Sequence, residues 1–270
     1  QNAVDEYDGD EGWVVVPRRI SQMVRREVGD VNNRKLFCYT FDELIDQDVN
    51  FEHYFEWLEE IVWDKFIHLN YTHLACKKAE FDPNTQESIG YSHYGKEQDW
   101  IDGYIDQWLD DPAKEHISVL GEFGTGKTWF TLHYASVSLQ RYRQAKARGL
   151  ERPRIPVLIP LRDCTKAATI ESLFLEFFFR KHKISLPNYA VFEQLNRMGK
   201  LLLILDGFDE MAIKIDRQSM INNFWELAKV VVRGSKAILT CRNEHFPDAK
   251  AGRDLLNAEL TASTAELTAE

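Results

Sequence analysis

An eight-residue stretch, Gly121 to Thr128, places three glycines ahead of a lysine and a threonine. Its sequence, Gly-Glu-Phe-Gly-Thr-Gly-Lys-Thr, fits the pattern G-x-x-x-x-G-K-[ST]. In this pattern backbone N–H groups turn inward around phosphate oxygens, Lys127 supplies charge for the β- and γ-phosphates, and the Thr128 hydroxyl can ligate Mg²⁺. The residues expected to contact phosphate are Gly121, Glu122, Phe123, Gly124, Thr125, Gly126, Lys127 and Thr128. The alternative is a glycine turn with a structural role only.

Acidic residues follow a fully apolar run, Leu201 to Leu205, further along the chain. Asp206, directly after the run, would hold the Mg²⁺ that bridges the β- and γ-phosphates, directly or through water. Asp209 and Glu210 come next and could polarise an attacking water molecule. On its own, an aspartate after a strand is more simply a turn residue or a helix cap. The glycine loop upstream favours the metal-binding interpretation.

An arginine ends the next apolar run, in Thr240-Cys241-Arg242. A guanidinium at that strand end could sense a γ-phosphate or stabilise transition-state charge. The alternative for Arg242 is a surface position or a structural salt bridge. Arg162 follows another apolar run and is expected at the same edge, where it is better placed to orient acidic neighbours than to touch nucleotide.

These residues need a scaffold that brings several strand ends together, as open α/β sheets do at their ligand-binding edge. Short apolar runs alternate with stretches of helical spacing, such as Phe130, Tyr134 and Val137 after the glycine loop. Fully apolar strands are expected where helices cover both faces of a parallel sheet. The alternation predicts an α/β fold, a doubly wound parallel sheet with helices on both faces. The predicted strands are residues 116–120, 155–161, 201–205 and 236–240, the last being the final strand.

A smaller α/β unit is predicted at the start of the chain. Strands are expected at residues 13–16 and 35–39, with an amphipathic helix over 20–28 between them. Together these elements, within residues 1–40, look like the tail of an upstream α/β domain.

Residues 41–97 predict a helical region and a linker. The clearest helix lies within residues 41–70, where an apolar stripe lies opposite acidic side chains. Periodicity disappears over residues 81–99, which we interpret as a surface linker. A short helix then precedes the strand of the glycine loop, and its apolar stripe is either core packing or a neighbour of a bound adenine. The stripe comprises Ile101, Tyr104, Ile105 and Trp108.

The overall charge and composition exclude several classes of protein. A net charge of −10 argues against a general nucleic-acid-binding surface, which would be basic, so direct nucleic-acid binding is not expected. No segment is apolar for long enough to span a membrane and no signal peptide is visible, so we expect a cytoplasmic protein. The four cysteines are scattered without a C-x-x-C pair, which suits a reducing compartment.

Four segments in order resemble the NACHT family, STAND-class signalling ATPases found in animal inflammasome receptors and bacterial antiphage sensors. The segments are Gly121–Thr128, Ile155–Arg162, Leu202–Glu210 and Ile238–Arg242. The resemblance implies a P-loop NTPase core over residues 98–255, with a five-stranded parallel sheet, and residues 256–270 beginning the following segment. The unit within residues 1–40 more weakly resembles the end of a restriction-endonuclease-like domain. No complete set of nuclease carboxylates and lysine is present, so nuclease activity is not expected.

The same resemblance implies ATP or ADP with Mg²⁺ as cofactors. It implies Mg²⁺ contacts at Thr128 and Asp206 and a sensing role at Arg242. It also implies that Asp209 or Glu210 activates the attacking water, and the sequence does not decide between the two residues.

Gly207 stands where many related ATPases have a catalytic glutamate, which fits the family and leaves the hydrolysis rate open. Three uses of the site are therefore considered. The first is an ATPase used slowly as a switch, in which nucleotide exchange permits homo-oligomerisation and effector activation in bacterial defence, after domains outside this chain sense an activating ligand. The second is a turnover ATPase of the AAA-like type. The third is an interaction module that nucleotide stabilises without hydrolysis.

Overall fold

The computed structural model describes residues 11–17, 19–29, 36–82, 84–85, 87–164, 169–184, 186, 188–212, 217–243 and 262–268. Residues 1–10 of the expected upstream unit and 244–255 of the expected core lie outside these ranges. The described chain is a mixed α/β structure with one sheet of two strands and one of seven.

The two-stranded sheet belongs to the N-terminal unit. Strands β1 (Gly12–Val16) and β2 (Leu36–Thr40) pair in parallel and are connected through helix α1 (Gln22–Val28). This confirms the predicted order of strand, helix and strand. Helix α1 has no buried residue, so its predicted apolar stripe is not packed into a core by the described residues.

The stretch predicted to be helical contains three helices, α2 (Phe41–Asp48), α3 (Glu52–Asp64) and α4 (Ile67–Asn70). Helix α2 begins with a capping box between Thr40 and Glu43, in which each side chain bonds the other residue's backbone N–H. Helix α3 packs against the long helix that follows the glycine loop. The residues that α3 buries are Tyr54, Phe55, Leu58 and Val62.

A β-hairpin occupies much of the region predicted to be a linker, and that prediction is wrong. Strands β3 (Ala75–Phe81) and β4 (Ser88–Tyr94) pair antiparallel at one end of the large sheet. Strand β4 is an edge strand with Ile89 and Tyr91 exposed, so it lacks the apolar run by which buried strands are recognised.

The large sheet has the strand order β4-β3-β9-β5-β8-β7-β6. Five adjacent strands run parallel to one another, and β3 is antiparallel to both β4 and β9. Every residue of β6 and of β7 is buried, so both faces of these two strands are covered. The parallel strands are β5 (His116–Leu120), β6 (Ile155–Pro160), β7 (Leu201–Asp206), β8 (Ala237–Cys241) and β9 (Ala262–Thr268).

Strand β9 corrects two expectations from the sequence. The run at 236–240 is not the final strand, because β9 pairs in parallel with β5 on the side opposite β8. A boundary between residues 255 and 256 would therefore cut through the sheet rather than separate it from a following segment. The sequence Ala-Ser-Thr-Ala-Glu-Leu-Thr is mostly small and polar, so it has no apolar run to indicate a strand.

The helices that accompany the large sheet bury apolar faces as the sequence predicts. Helix α5 (Trp100–Asp110) buries its whole stripe of Ile101, Tyr104, Ile105 and Trp108, which favours the core-packing interpretation. In the part of the chain that the structure describes, none of the helices combines the length and apolarity that a bilayer crossing requires. The remaining helices are α6 (Lys127–Ala147), α7 (Ile170–Leu175) with a π-helical continuation (Glu176–Lys181), α8 (Tyr189–Arg197), α9 (Phe208–Ala212) and α10 (Arg217–Ala228).

Candidate functional site

The glycine loop connects the carboxyl end of β5 to helix α6. Gly124 and Gly126 have φ angles of +81° and +90°, in the left-handed region that glycine enters without strain. At Gly121 a Cβ atom would lie 2.6 Å from the Thr125 hydroxyl oxygen, so a side chain there would collide with the loop. That hydroxyl donates to the Glu122 carbonyl at 2.8 Å. The conformation of the loop therefore depends on glycine at all three positions.

Lys127 is the first residue of α6, and its side chain lies back across the loop. Its ammonium group donates to the carbonyl oxygens of Gly121 at 2.6 Å and of Glu122 at 2.9 Å. Burial lowers the pKa of Lys127, and the nearby Asp209 carboxylate opposes that effect. The positive charge is thus placed over the loop amides and the amino terminus of a long helix, which together favour an anion.

Asp206 ends β7 and is 7% exposed. Its Oδ1 accepts a hydrogen bond from the Thr240 hydroxyl at 2.8 Å, and the same hydroxyl oxygen accepts from the Gly207 N–H at 2.8 Å. Burial raises the pKa of Asp206, while the hydroxyls of Thr240, Thr128 and Thr131 act in the opposite direction. Thr128 and Asp206, the two residues predicted to ligate Mg²⁺, therefore lie near each other.

Asp209 and Arg242 form a salt bridge beside the carboxyl ends of β7 and β8. The Arg242 Nε donates to Asp209 Oδ2 at 2.8 Å, and the Arg242 backbone N–H donates to Oδ1 at 3.2 Å. Asp209 is 3% exposed, and the guanidinium lies over the ring of Phe123, 4.9 Å from its centre. The structure brings Arg242 to the loop as predicted, but it does so in the salt bridge that was the structural alternative.

Glu210 is the more accessible of the two residues predicted to activate water. It is half-buried on the short helix α9, which begins after Gly207 at a φ of +78°. Burial raises the pKa of Glu210, the Arg162 guanidinium lowers it, and Asp206 and Asp209 raise it further. The role predicted for Arg162, orienting acidic neighbours, stays a prediction, and its Nε lies 3.7 Å from Asp163 Oδ1.

Two threonines were not assigned their observed roles from the sequence. Thr240 was considered only as a polar residue before Arg242, yet it links Asp206 to the backbone of Gly207. Thr131 donates to the Thr128 carbonyl at 2.9 Å, and its hydroxyl is one of the groups that act to lower the pKa of Asp206. The i,i+3 spacing of Thr128 and Thr131 on one helix could have indicated their shared face. The role of Thr240 depends on the register of neighbouring strands.

Comparisons with known proteins bear on both parts of the chain. Residues 1–46 match the family described as NACHT-associated inactive Restriction Endonuclease 1. Over 268 residues, 99% of the chain, the sequence is 63% identical to an uncharacterized WD repeat-containing protein of Nostoc sp. (strain PCC 7120), and the chain spans 18% of that relative's length. The match at residues 1–46 covers the unit whose sequence resembles a restriction-endonuclease-like tail, and it ties the chain to NACHT-associated proteins.

Proposed function

We propose that the chain binds ATP or ADP with Mg²⁺ and acts as the nucleotide-operated switch of a NACHT-type signalling protein. The proposal rests on the position of Thr128 and the buried Asp206 carboxylate at the same end of the sheet, beside the Lys127 ammonium. A hydroxyl and a carboxylate near each other offer the hard oxygen ligands that Mg²⁺ prefers. The match of residues 1–46 to a NACHT-associated family supports the same proposal.

The arrangement of the large sheet supports a P-loop NTPase core of the doubly wound kind. Its five parallel strands equal the number that the resemblance to the NACHT family implies. Strand β8 lies between β5 and β7, so the glycine loop, Thr240 and Asp206 meet at one edge of the sheet. This is the edge at which open α/β sheets bind ligands.

Phosphate binding would use the loop backbone and the start of α6. Lys127 would exchange its hydrogen bonds with the Gly121 and Glu122 carbonyls for bonds to β- and γ-phosphate oxygens. Thr128 and Asp206 would hold Mg²⁺, which neutralises phosphate charge when bound. The cations Lys127, Arg162 and Arg242 would offset the carboxylates of the same edge.

Glu210 is the residue that we propose orients the attacking water. Asp209 already accepts hydrogen bonds at both of its carboxylate oxygens, whereas Glu210 is half-buried and has a raised pKa, which suits a general base. Gly207 offers no side chain directly after Asp206, so hydrolysis would be slow. Slow hydrolysis suits a switch, in which the nucleotide state must persist.

The switch itself would depend on contacts that differ between ATP and ADP. A γ-phosphate beside Lys127 would compete with Asp209 for Arg242, whose guanidinium also lies over Phe123 of the loop. Releasing Asp209 from this pair would break the salt bridge between Arg242, at the end of β8, and helix α9. We propose that this change permits homo-oligomerisation and effector activation in bacterial defence, triggered by a ligand sensed elsewhere in a longer cytoplasmic protein.

Replacing Lys127 tests the proposed nucleotide site. Lys127→Ala removes the charge that pairs with the β- and γ-phosphates, so we expect no detectable binding of ADP or Mg·ATP in titration calorimetry. The control is Lys229→Ala, because Lys229 is 60% exposed and pairs only locally with Glu226. Unchanged binding by the Lys127 variant, with the control equal to the parent, would remove the proposal.

The rate of turnover separates the switch from the two other uses. A turnover ATPase would hydrolyse ATP rapidly and steadily in the isolated chain, whereas a switch would retain copurifying ADP and hydrolyse slowly. An interaction module would bind nucleotide and gain stability without any hydrolysis. Single-turnover hydrolysis of bound ATP, followed by chromatography, distinguishes these outcomes.

A further inference from the structure

Three side chains that the nucleotide site does not use converge beside the glycine loop. They are His73 from the segment after α4, Asp102 from α5 and His133 from α6. His73 Nδ1 lies 3.3 Å from Asp102 Oδ2, and His133 Nε2 lies 3.5 Å from Asp102 Oδ1. The potential ligand atoms all lie within 4.8 Å of one another. Each oxygen of one carboxylate thus faces one imidazole.

Asp102 is the buried member of this group, at 8% exposure. Its Oδ1 is inaccessible to solvent and accepts no hydrogen bond in the described structure. The carboxylates of Asp99 and Asp106 add to the negative charge around it. A buried carboxylate among other acidic groups is unfavourable unless a cation compensates it.

His133 is suited to act as a metal ligand. Its Nε2 lies 3.5 Å from Asp102 Oδ1. A neutral imidazole has a lone pair to offer, which a protonated ring does not. The ring stacks on Tyr71 with centres 3.9 Å apart, which fixes the direction in which Nε2 points.

The distances also fit a metal shell. With bonds of about 2.0–2.1 Å in a tetrahedral arrangement, neighbouring ligand atoms are about 3.3–3.4 Å apart. The two contacts to Asp102, one to each carboxylate oxygen, are 3.3 and 3.5 Å, close to that spacing, and the first is also a long hydrogen bond.

We propose that His73 Nδ1, the Asp102 carboxylate and His133 Nε2 bind one divalent transition-metal ion of the zinc type. Two imidazoles and a carboxylate suit zinc and its d-block neighbours, whereas Mg²⁺ and Ca²⁺ prefer oxygen ligands alone. The His73 side chain is about half exposed, so a water molecule could reach the ion and complete the shell.

The ion would join three elements around the glycine loop. The Leu74 carbonyl accepts from the Ile101 N–H at 2.9 Å, and a Cβ atom at Gly126 would lie 3.4 Å from the Leu74 side chain. His133 lies on the same helix as Lys127, six residues further on. A bound metal would therefore fix the segment containing His73 and helix α5 against the first turns of α6. This role is separate from Mg²⁺ binding with nucleotide.

Metal titration of the full chain, prepared without a histidine tag, tests the proposal. We expect one equivalent of Zn²⁺ by calorimetry, Co²⁺ absorption bands of a four-coordinate site, and a higher Tm with Zn²⁺ but not with Mg²⁺. Asp102→Asn keeps the shape of the side chain, and His73→Ala alters a half-exposed one. Each should weaken Zn²⁺ binding at least about tenfold, since even loss of an outer-shell partner has that effect.

The matched control is His53→Ala, because His53 is 71% exposed and lies outside the group. It should bind Zn²⁺ as the parent does. Absence of stoichiometric Zn²⁺ binding by the parent, or equal affinity in the parent and both cluster variants, would overturn the proposal. Lys127→Ala should keep the Zn²⁺ site while losing nucleotide, so failure of one proposal is distinguishable from failure of the other.

Discussion

The pair formed by Asp209 and Arg242 determines which carboxylate can do chemistry at the candidate site. Both oxygens of Asp209 accept hydrogen bonds from Arg242, one from the side chain and one from the backbone. To take a proton from water, Asp209 would have to give up an interaction with a guanidinium that holds its charge. Glu210 lies one residue away and has its pKa raised by burial. The acid–base role is therefore easier for Glu210.

Conservative substitutions separate the roles of the two acidic residues. Glu210→Gln removes the proposed base while keeping the size of the side chain, so single-turnover ATP hydrolysis should slow by roughly 10²–10⁴-fold with ATP affinity unchanged. Asp209→Asn should instead weaken the pair with Arg242 and lower thermal stability. If only Asp209→Asn slows hydrolysis at unchanged affinity, the role belongs to Asp209.

At the scale of the element, strand β6 shows how this sheet ends. Among the strands that the structure describes, it pairs with β7 alone, so the N–H groups on its other side need partners. The Leu158 N–H donates to the Tyr54 hydroxyl at 2.7 Å, and Tyr54 on α3 is fully buried. A helix from the N-terminal region thus covers the edge of the sheet and satisfies part of its backbone.

Removing the Tyr54 hydroxyl should show how much its hydrogen bond to the edge of the sheet contributes to the free energy of unfolding. Tyr54→Phe leaves the ring in place but orphans a buried N–H, which destabilises a protein by about 1–3 kcal/mol. The midpoint of urea unfolding should fall accordingly. Tyr91→Phe is the control, because Tyr91 is 56% exposed on strand β4, and it should change stability little. Equal midpoints for both variants would show that water replaces the hydroxyl at β6.

What the sequence predicts depends on how each element is buried. The strands ending at Leu120, Asp206 and Cys241 are mainly apolar runs because they lie inside the sheet, and all were predicted. Strands β4 and β9 lack such runs and were missed. The glycine loop and Asp206 follow from local pattern. The link from Thr240 to Asp206 could not be predicted, since it requires that β8 lies beside β7 in the sheet.

At the scale of the whole molecule, ion pairs join helices of the N-terminal region to the larger sheet. Asp46 on α2 contacts Lys146 at 3.0 Å and Arg152 at 2.7 Å, and Asp42 contacts Lys200 at 2.7 Å. Burial acts to raise the pKa of Asp46, but hydrogen bonds from Arg152 and Lys146 lower it overall. Helices that precede the glycine loop therefore belong to the same packed body as the sheet.

The stability of that body should depend on pH through a histidine in its central sheet. His116 begins β5, which lies between β8 and β9, and the residue is 5% exposed. Burial lowers the pKa of His116 from 6.5 to about 4. Between those values the unfolded chain takes up a proton that the folded chain does not, so stability falls as the pH falls from 6.5 towards 4.

Substituting His116 should remove this part of the pH dependence. From the two pKa values, the parent should lose about 1–2 kcal/mol of stability through His116 between pH 6.5 and pH 5. His116→Gln cannot titrate, so its urea unfolding curves should shift less over that interval, whatever its stability at pH 7. His53→Gln changes an exposed histidine and should retain the slope of the parent. Parallel pH profiles for the parent and His116→Gln would mean that the folded sheet accepts the charge at His116.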